Sequence, residues 1–190
     1  MDAETAELKL LETAETLFDE KGVQAVGMDA IRSGSGVSLK RLYQLYPSKD
    51  HLVWAVLKRR DEAVRSAIAA HGATHATTPY QRCLAVFDYL GGWFADPGFR
   101  GCAFINTFGE MGGISPDVAE IARGHKQALR DYFAEQTDAM NAPSSLADQL
   151  ALLANGAMAV AGISGTSEPA AQAKDAARIL LDTFVSSSVS

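Results

Sequence analysis

Leu10, Leu11, Ala14, Leu17 and Phe18 recur at three- and four-residue intervals and are closed by Gly22, which predicts an amphipathic first helix. Residues 28–34 and 38–45 read as two short helices around the turn Ser35-Gly36-Val37. Their spacing turns Ile31, Val37, Leu42 and Leu45 inward and leaves Lys40, Arg41 and Gln44, with Leu39 and Tyr43, outside. A long helix is predicted from Ser48 to about Ala70, ending ahead of His71-Gly72, with residues 71–79 a loop closed by Pro79. Residues 80–95 put Phe87, Leu90, Gly91 and Phe94 on one helical face with Trp93 beside it, and Asp96-Pro97-Gly98 breaks that helix. A short apolar helix over Gly101–Met111 ends at Gly112-Gly113, and Pro116 sits near the start of a helix to about Met140. Ser144–Ile163 and Pro169–Val185 complete an all-α pattern of about nine helices, with no strand and no internal repeat. The serine-rich end, residues 186–190, is expected to fray.

The block from Met28 to Leu52 carries the most chemistry. Gly36 stands where the chain must turn sharply, and glycine reaches positive φ without a Cβ penalty. Ser38 suits the N-cap of the next helix, because its hydroxyl can accept a free backbone N–H. Pro47 lacks an N–H and restricts Tyr46, so that helix stops there. Ser48 can cap the following helix, with Lys49 in its first turn. Two short helices joined by a glycine-containing turn are a helix-turn-helix, whose second helix can enter the major groove of DNA.

Charge sharpens this reading. The chain has net charge −6, yet residues 32–65 hold eight basic against three acidic groups, net +5. Residues 1–31 carry −6 and residues 66–190 carry −5. A basic segment on an acidic protein is the electrostatic footprint of a nucleic-acid face, although a solvated surface can cluster charge as well. With 190 residues and 47% hydrophobic content, one compact unit or two closely packed ones are expected. Cys83 and Cys102 are far apart without metal spacing, so a reduced, cytoplasmic protein is expected. The early residues are acidic and no signal peptide is read in them, and the apolar stretch 150–163 is too short to span a membrane.

Two further regions invite function. Trp93–Met111 concentrates Trp93, Phe94, Phe99, Phe104 and Phe108, with Asn106 and Glu110 as candidates for buried polar groups. Such a cluster reads either as plain core or as an apolar pocket with a few placed polar groups. The small residues Ala147, Ala151, Ala154, Gly156, Ala157, Ala159, Ala161 and Gly162 read either as a helix rich in good formers or as a face for another helix. Catalysis has little support: Cys102 and His125 lack a local signature, and Gly162-Ile163-Ser164-Gly165 has its second glycine one position early for a nucleophile elbow. Gly34-Ser35-Gly36 is not a phosphate loop, and His71 and His75 fall in a broken stretch without a metal pattern. No enzyme, metal or cofactor is expected.

The same residues resemble the DNA-binding domain of the TetR family of bacterial transcriptional regulators. The resemblance rests on Ala14, Leu17, Phe18, Gly22, Ile31, Gly36-Val37-Ser38, Leu42-Tyr43, Tyr46-Pro47-Ser48-Lys49-Asp50 and Leu52, and covers residues of about 4–60. Gly27 departs from the usual threonine cap, Gly34 from alanine, and Lys40, Arg41 and Leu45 from the commoner Gly, Thr and His. The resemblance implies a three-helix DNA-binding domain over 1–47 and a helical effector-binding and dimerisation domain over 48–190. It implies a homodimer joined by the last two helices, with Ala154, Gly156, Ala157, Val160 and Ile179 at the interface. It also implies an effector pocket, here with Phe87, Trp93, Phe104, Asn106 and Phe108. Gly101-Cys102-Ala103-Phe104-Ile105-Asn106 is similar to a motif at the sixth helix of some members.

The expected function is a repressor released from palindromic double-stranded DNA by a small molecule. Lys40, Arg41 and Gln44 would approach bases, while Ser38, Tyr43 and Lys49 would hold phosphates. An effector-independent DNA binder and a helical small-molecule carrier with a vestigial helix-turn-helix are the rival readings.

Overall fold

In a computed structural model that describes residues 2–188, with side chains to residue 186, the described residues form nine α-helices and no strand. They are α1 (Ala3–Lys21), α2 (Met28–Ser35), α3 (Leu39–Leu45), α4 (Lys49–His75), α5 (Pro79–Phe94), α6 (Ala103–Met111), α7 (Pro116–Ala139), α8 (Ser144–Ser164) and α9 (Glu168–Ser188). α9 therefore runs into the serine-rich end, and positions 189 and 190 lie outside the described residues.

Local signals set most boundaries. Asp2 caps α1 by accepting the Thr5 N–H at 2.8 Å, and Ser115 accepts the Val118 N–H at the head of α7. Thr78 and Gln81 form a reciprocal capping box at α5, with Pro79 in the first turn. Gly165 ends α8 in the left-handed region at φ +68. A second boundary differs from expectation besides the end of α9: α4 continues through His71-Gly72 to His75, and the loop is only the few residues before Pro79. A Cβ at Gly72 would collide with the Tyr132 hydroxyl of α7, so the missing side chain is the space that the tyrosine fills. His71 and His75 thus stand on a regular helix turn, their rings stacked at 4.2 Å.

The chain divides by packing into two units: Met1–Glu62 with Ala103–Gly124, and Ala63–Cys102 with His125–Ser190. This cut is not the expected one at residue 47, because the start of α4 and all of α6 cluster with the first three helices. The first unit is built on Leu10, Ala14, Phe18, Ile31, Leu42 and Leu52. Each large apolar side chain buried this way stabilises the fold by about 1.5–3 kcal/mol before entropy is counted. Arg60 of α4 reaches Asp19 at 2.8 Å and Glu15 at 2.9 Å on α1. A cavity of about 20 Å³ lies beside this triad, lined by α1, α4 and α6 residues including Phe18, Val53, Asn106 and Glu110. That is room for a water molecule and far below the volume of a small-molecule site.

In the second unit α8 packs on α9, and α5 on both. Phe87, Leu90, Phe133, Leu150, Met158 and Leu181 are fully buried there, with the Phe87 and Phe133 ring centres 6.0 Å apart. Tyr80 bonds Asp182 and Lys174 pairs with Asp88 across α5 and α9. α8 is 21 residues long and an 18-residue stretch of it has mean hydropathy 1.4, so by length and composition alone it could cross a membrane, unlike the shorter stretch that the sequence suggested. Reaching that length takes in Asp148 and Gln149 ahead of Leu150, and the buried residues of α8 pack against α5 and α9 as a core helix does.

Candidate nucleic-acid interface

The turn between α2 and α3 is built by three residues. Gly36 sits at φ +67 and its N–H returns to the Arg32 carbonyl at 3.1 Å. Ser38 caps α3 by accepting the Arg41 N–H at 3.3 Å. Ser35 is the residue that sequence reasoning missed: buried, it donates to the Arg32 carbonyl and accepts the Val37 N–H at 3.3 Å. A hydroxyl placed inside a turn bonds its own backbone in this way, and the serine before the glycine was the available signal.

α3 is held from behind. Leu42 and Tyr46 are buried, and the Tyr46 hydroxyl donates to Glu7 of α1 at 3.0 Å. Burial, with the Glu7 carboxylate beside it, pushes the Tyr46 phenol well above its ordinary range, so it stays a donor. Leu45 is half-buried. The opposite face carries Leu39, Lys40, Tyr43 and Gln44, all exposed, and Arg41 on the flank reaches the Gln44 side-chain oxygen at 3.5 Å. Lys40, Arg41, Tyr43, Gln44 and Ser38 therefore come together on one helix of seven residues. Lys49 is at the head of α4, where Ser48 accepts the His51 N–H at 3.4 Å. Its ammonium donates to the Gln24 carbonyl at 3.4 Å, and burial lowers its pKa against the pull of Glu110.

The expected pocket residues fall in both units, Phe87 and Trp93 in the second and Phe104, Asn106 and Phe108 in the first. Phe87 and Phe104 are buried core and Trp93 is half-buried, meeting Phe99 edge-on at 5.0 Å. Asn106, expected as a buried polar group, is exposed, and Phe108 is 48% exposed. α6 turns Phe104, Thr107 and Met111 inward; Asn106 stands on the flank that lines the small cavity of the first unit, and Phe108, one turn past Phe104, is left uncovered. Glu110 is half-buried and serves the first unit, accepting the backbone N–H groups of Val23 at 3.1 Å and Gln24 at 2.7 Å.

The small-residue face of α8 also needs correction. Ala154 and Ala157 are 0% and 5% exposed within the single chain, together with Ala147, Ala151 and Ala161. They let α8 approach its own α5 and α9 closely, so they are not a free dimer face. The outward stripe is Leu152, Gly156, Val160 and Ile163, with Ile179 on α9; Ile163 is 89% and Ile179 67% exposed. Gly162 is tied locally, since a Cβ there would stand 2.8 Å from the Gly101 Cα.

Cys102 and His125 are both buried, and Cys102 accepts the Lys126 ammonium at 3.2 Å. Burial pushes the Cys83 thiol up to about 12. Among the described residues no group of three or more His, Cys, Asp or Glu is placed to hold a metal.

A family profile described as bacterial regulatory proteins, tetR family, matches residues 10–56. The HTH-type transcriptional activator FasR of Mycolicibacterium smegmatis is 36% identical over 87 residues, a match spanning 43% of this chain and 39% of that protein. A TetR-family transcriptional regulator from Streptomyces coelicolor superposes with TM-score 0.88 at 26% identity, covering 95% of this chain and 90% of that one. A candidate TetR-type regulator from Streptomyces avermitilis gives TM-score 0.75 at 30% identity, covering 90% and 97%. With the helix-turn-helix geometry, these similarities place the chain in the TetR family of bacterial transcriptional regulators, as a DNA-binding protein.

Proposed function

We propose that the chain is a cytoplasmic, ligand-responsive homodimer that represses transcription at a palindromic operator. The observation that carries this reading is the exposed face of α3, with Lys40, Tyr43 and Gln44 turned outward over the buried Leu42 and Tyr46, in a segment of net charge +5. Lys40, Arg41 and Gln44 present donors, and Gln44 an acceptor, to base edges. Ser38 accepts the Arg41 N–H and keeps its own hydroxyl proton for a phosphate oxygen, and the Tyr43 hydroxyl has the same role. Lys49 uses one of its three donors on Gln24 and has two left for phosphate.

The dimer brings two α3 helices to successive major grooves, about 34–36 Å apart. The exposed stripe of α8, with Ile179 of α9, is the surface that a second copy covers. On this reading residues 1–47 read DNA, and 48–190 bind effector and partner. An effector held within residues 48–190 releases DNA only if it binds one spacing of the two α3 helices more tightly than the other. The FasR similarity brings an activator into the comparison, and the sign of regulation depends on where the operator lies relative to the promoter.

An electrophoretic titration against the DNA flanking its own gene, with and without candidate ligands, tests this. Salt-dependent, sequence-selective binding relieved by a ligand supports it. Binding that no ligand relieves supports an effector-independent DNA binder, and ligand binding without DNA affinity supports a carrier.

A further inference from the structure

The face of α3 contains one group that hydrogen bonding cannot use. Leu39, the first residue of α3, is 46% exposed. Its neighbours on that face, Lys40, Tyr43 and Gln44, all carry donors. Leu39 has neither donor nor acceptor, so it can serve neither a phosphate nor the polar edge of a base. The helix cannot roll to bury it: Leu42 and Tyr46 are packed beneath, the Tyr46 hydroxyl is tied to Glu7, and Ser38 fixes the first turn. An isobutyl group is thus held outward beside Lys40 and Arg41, where the local charge of +5 selects a polyanion as the partner. Within the major groove of DNA one apolar group stands out on the base edges, the C5-methyl of thymine.

We propose that Leu39 is a specificity determinant, reading thymine through its C5-methyl group, so that each operator half-site carries a thymine facing the first turn of α3. This rests on α3 being the DNA-reading helix. The contact needs no hydrogen bond: two apolar surfaces leave water together, and cytosine at the same position offers an amino group and no methyl. Tyr43, one helical turn on and 46% exposed, stands on the same side of the helix.

The test uses the full-length protein and an operator selected from random duplexes. Each thymine is replaced in turn, in both half-sites, by deoxyuridine, which removes the methyl and leaves every hydrogen-bonding group. Burial of one methyl predicts a loss of about fourfold per half-site at a single symmetric position. Leu39→Ala should bind the thymine and deoxyuridine versions of that position equally, while Leu39→Ile keeps the difference. Leu39 lies on the surface, and a thermal melt checks that the variants stay folded. Specific binding with no deoxyuridine-sensitive position overturns the proposal, as does a sensitivity that Leu39→Ala leaves unchanged; DNA reading by α3 survives both results. Absence of selective binding to any duplex overturns the DNA-reading function itself.

Discussion

Gln24 donates twice to Glu110: its backbone N–H to the carboxylate at 2.7 Å, and its side-chain amide to the backbone carbonyl at 2.6 Å. The other carboxylate oxygen takes the Val23 N–H at 3.1 Å. Gly22, at φ +81, lets the chain pass so close that a Cβ would stand 3.0 Å from that oxygen. The last turn of α6 thereby closes the end of α1, and Lys49 joins through the Gln24 carbonyl.

Glu110→Ala should leave two backbone donors without this acceptor. Orphaned donors cost about 1–3 kcal/mol when buried, and exposure of Gln24 puts the loss near the low end. A fall in Tm of roughly 2–6 °C is expected for a chain of this size. Glu110→Gln keeps one acceptor oxygen and should lose about half as much. Unchanged melting of Glu110→Ala would show that the contact contributes nothing.

Gly34→Ala should not give the gain that helix propensity promises. Alanine is favoured by about 1 kcal/mol in a helix interior, but a Cβ at Gly34 would stand 2.8 Å from the Thr13 Cγ2 of α1. The single variant is therefore expected to be neutral or destabilised. In a Thr13→Ser background, which removes that methyl, the same change should stabilise by up to about 1 kcal/mol. Urea denaturation of the four proteins in a double-mutant cycle measures the coupling, and an additive cycle would refute the steric account.

Arg41→Ala and Lys49→Ala should weaken DNA binding in different ways. Loss of a base contact at Arg41 should cost about 1–3 kcal/mol on the preferred site and little on random DNA. Loss of Lys49 should weaken both alike and lower the salt slope by about one. Titrations at several salt concentrations on both duplexes separate the two, and equal loss from Arg41→Ala would make Arg41 a phosphate contact.

Val160→Lys and Ala157→Lys, three residues apart on α8, should fail differently. Val160 is 52% exposed on the outward stripe, so its charge should dissociate the dimer with the monomer still folded. Ala157 is buried against the chain's own helices, so a lysine there should unfold the second unit. Sedimentation with thermal melting distinguishes them, and a Val160→Lys protein that stays dimeric would move the interface elsewhere.

Cys83 should resist alkylation in the folded protein. Burial pushes its pKa up to about 12, so far less of it is the reactive thiolate at pH 8 than in an ordinary cysteine. Iodoacetamide labelling followed by mass spectrometry should find it unmodified natively and fully modified in denaturant. Because the pKa is raised, reactivity should appear only as pH climbs toward 12, and rapid native labelling near pH 8 would contradict the buried environment.

Signals that act within a few residues were legible in the sequence by itself. Gly36, Ser38, Pro47 and Pro79 mark turns and caps through backbone chemistry that needs no distant partner, and the α3 face follows from helical spacing once its ends are set. What a helix packs against is a different matter, and only tertiary structure decided it. α8 is apolar on nearly every side, so periodicity could not tell Ala154 and Ala157, which meet the chain's own helices, from Val160 and Ile163, which do not. α6 shows the same limit: Phe104 and Phe108, four residues apart, share a helical face and look equivalent, yet the first is buried and the second is left half uncovered, because what packs over each is not written in the spacing. Propensity alone ends α4 ahead of Gly72, yet the helix runs through it to His75, and the Tyr132 hydroxyl, sixty residues later, takes the place of the missing side chain. Local backbone preference is worth about a kilocalorie per residue, and a packed side chain from elsewhere in the chain outweighs it.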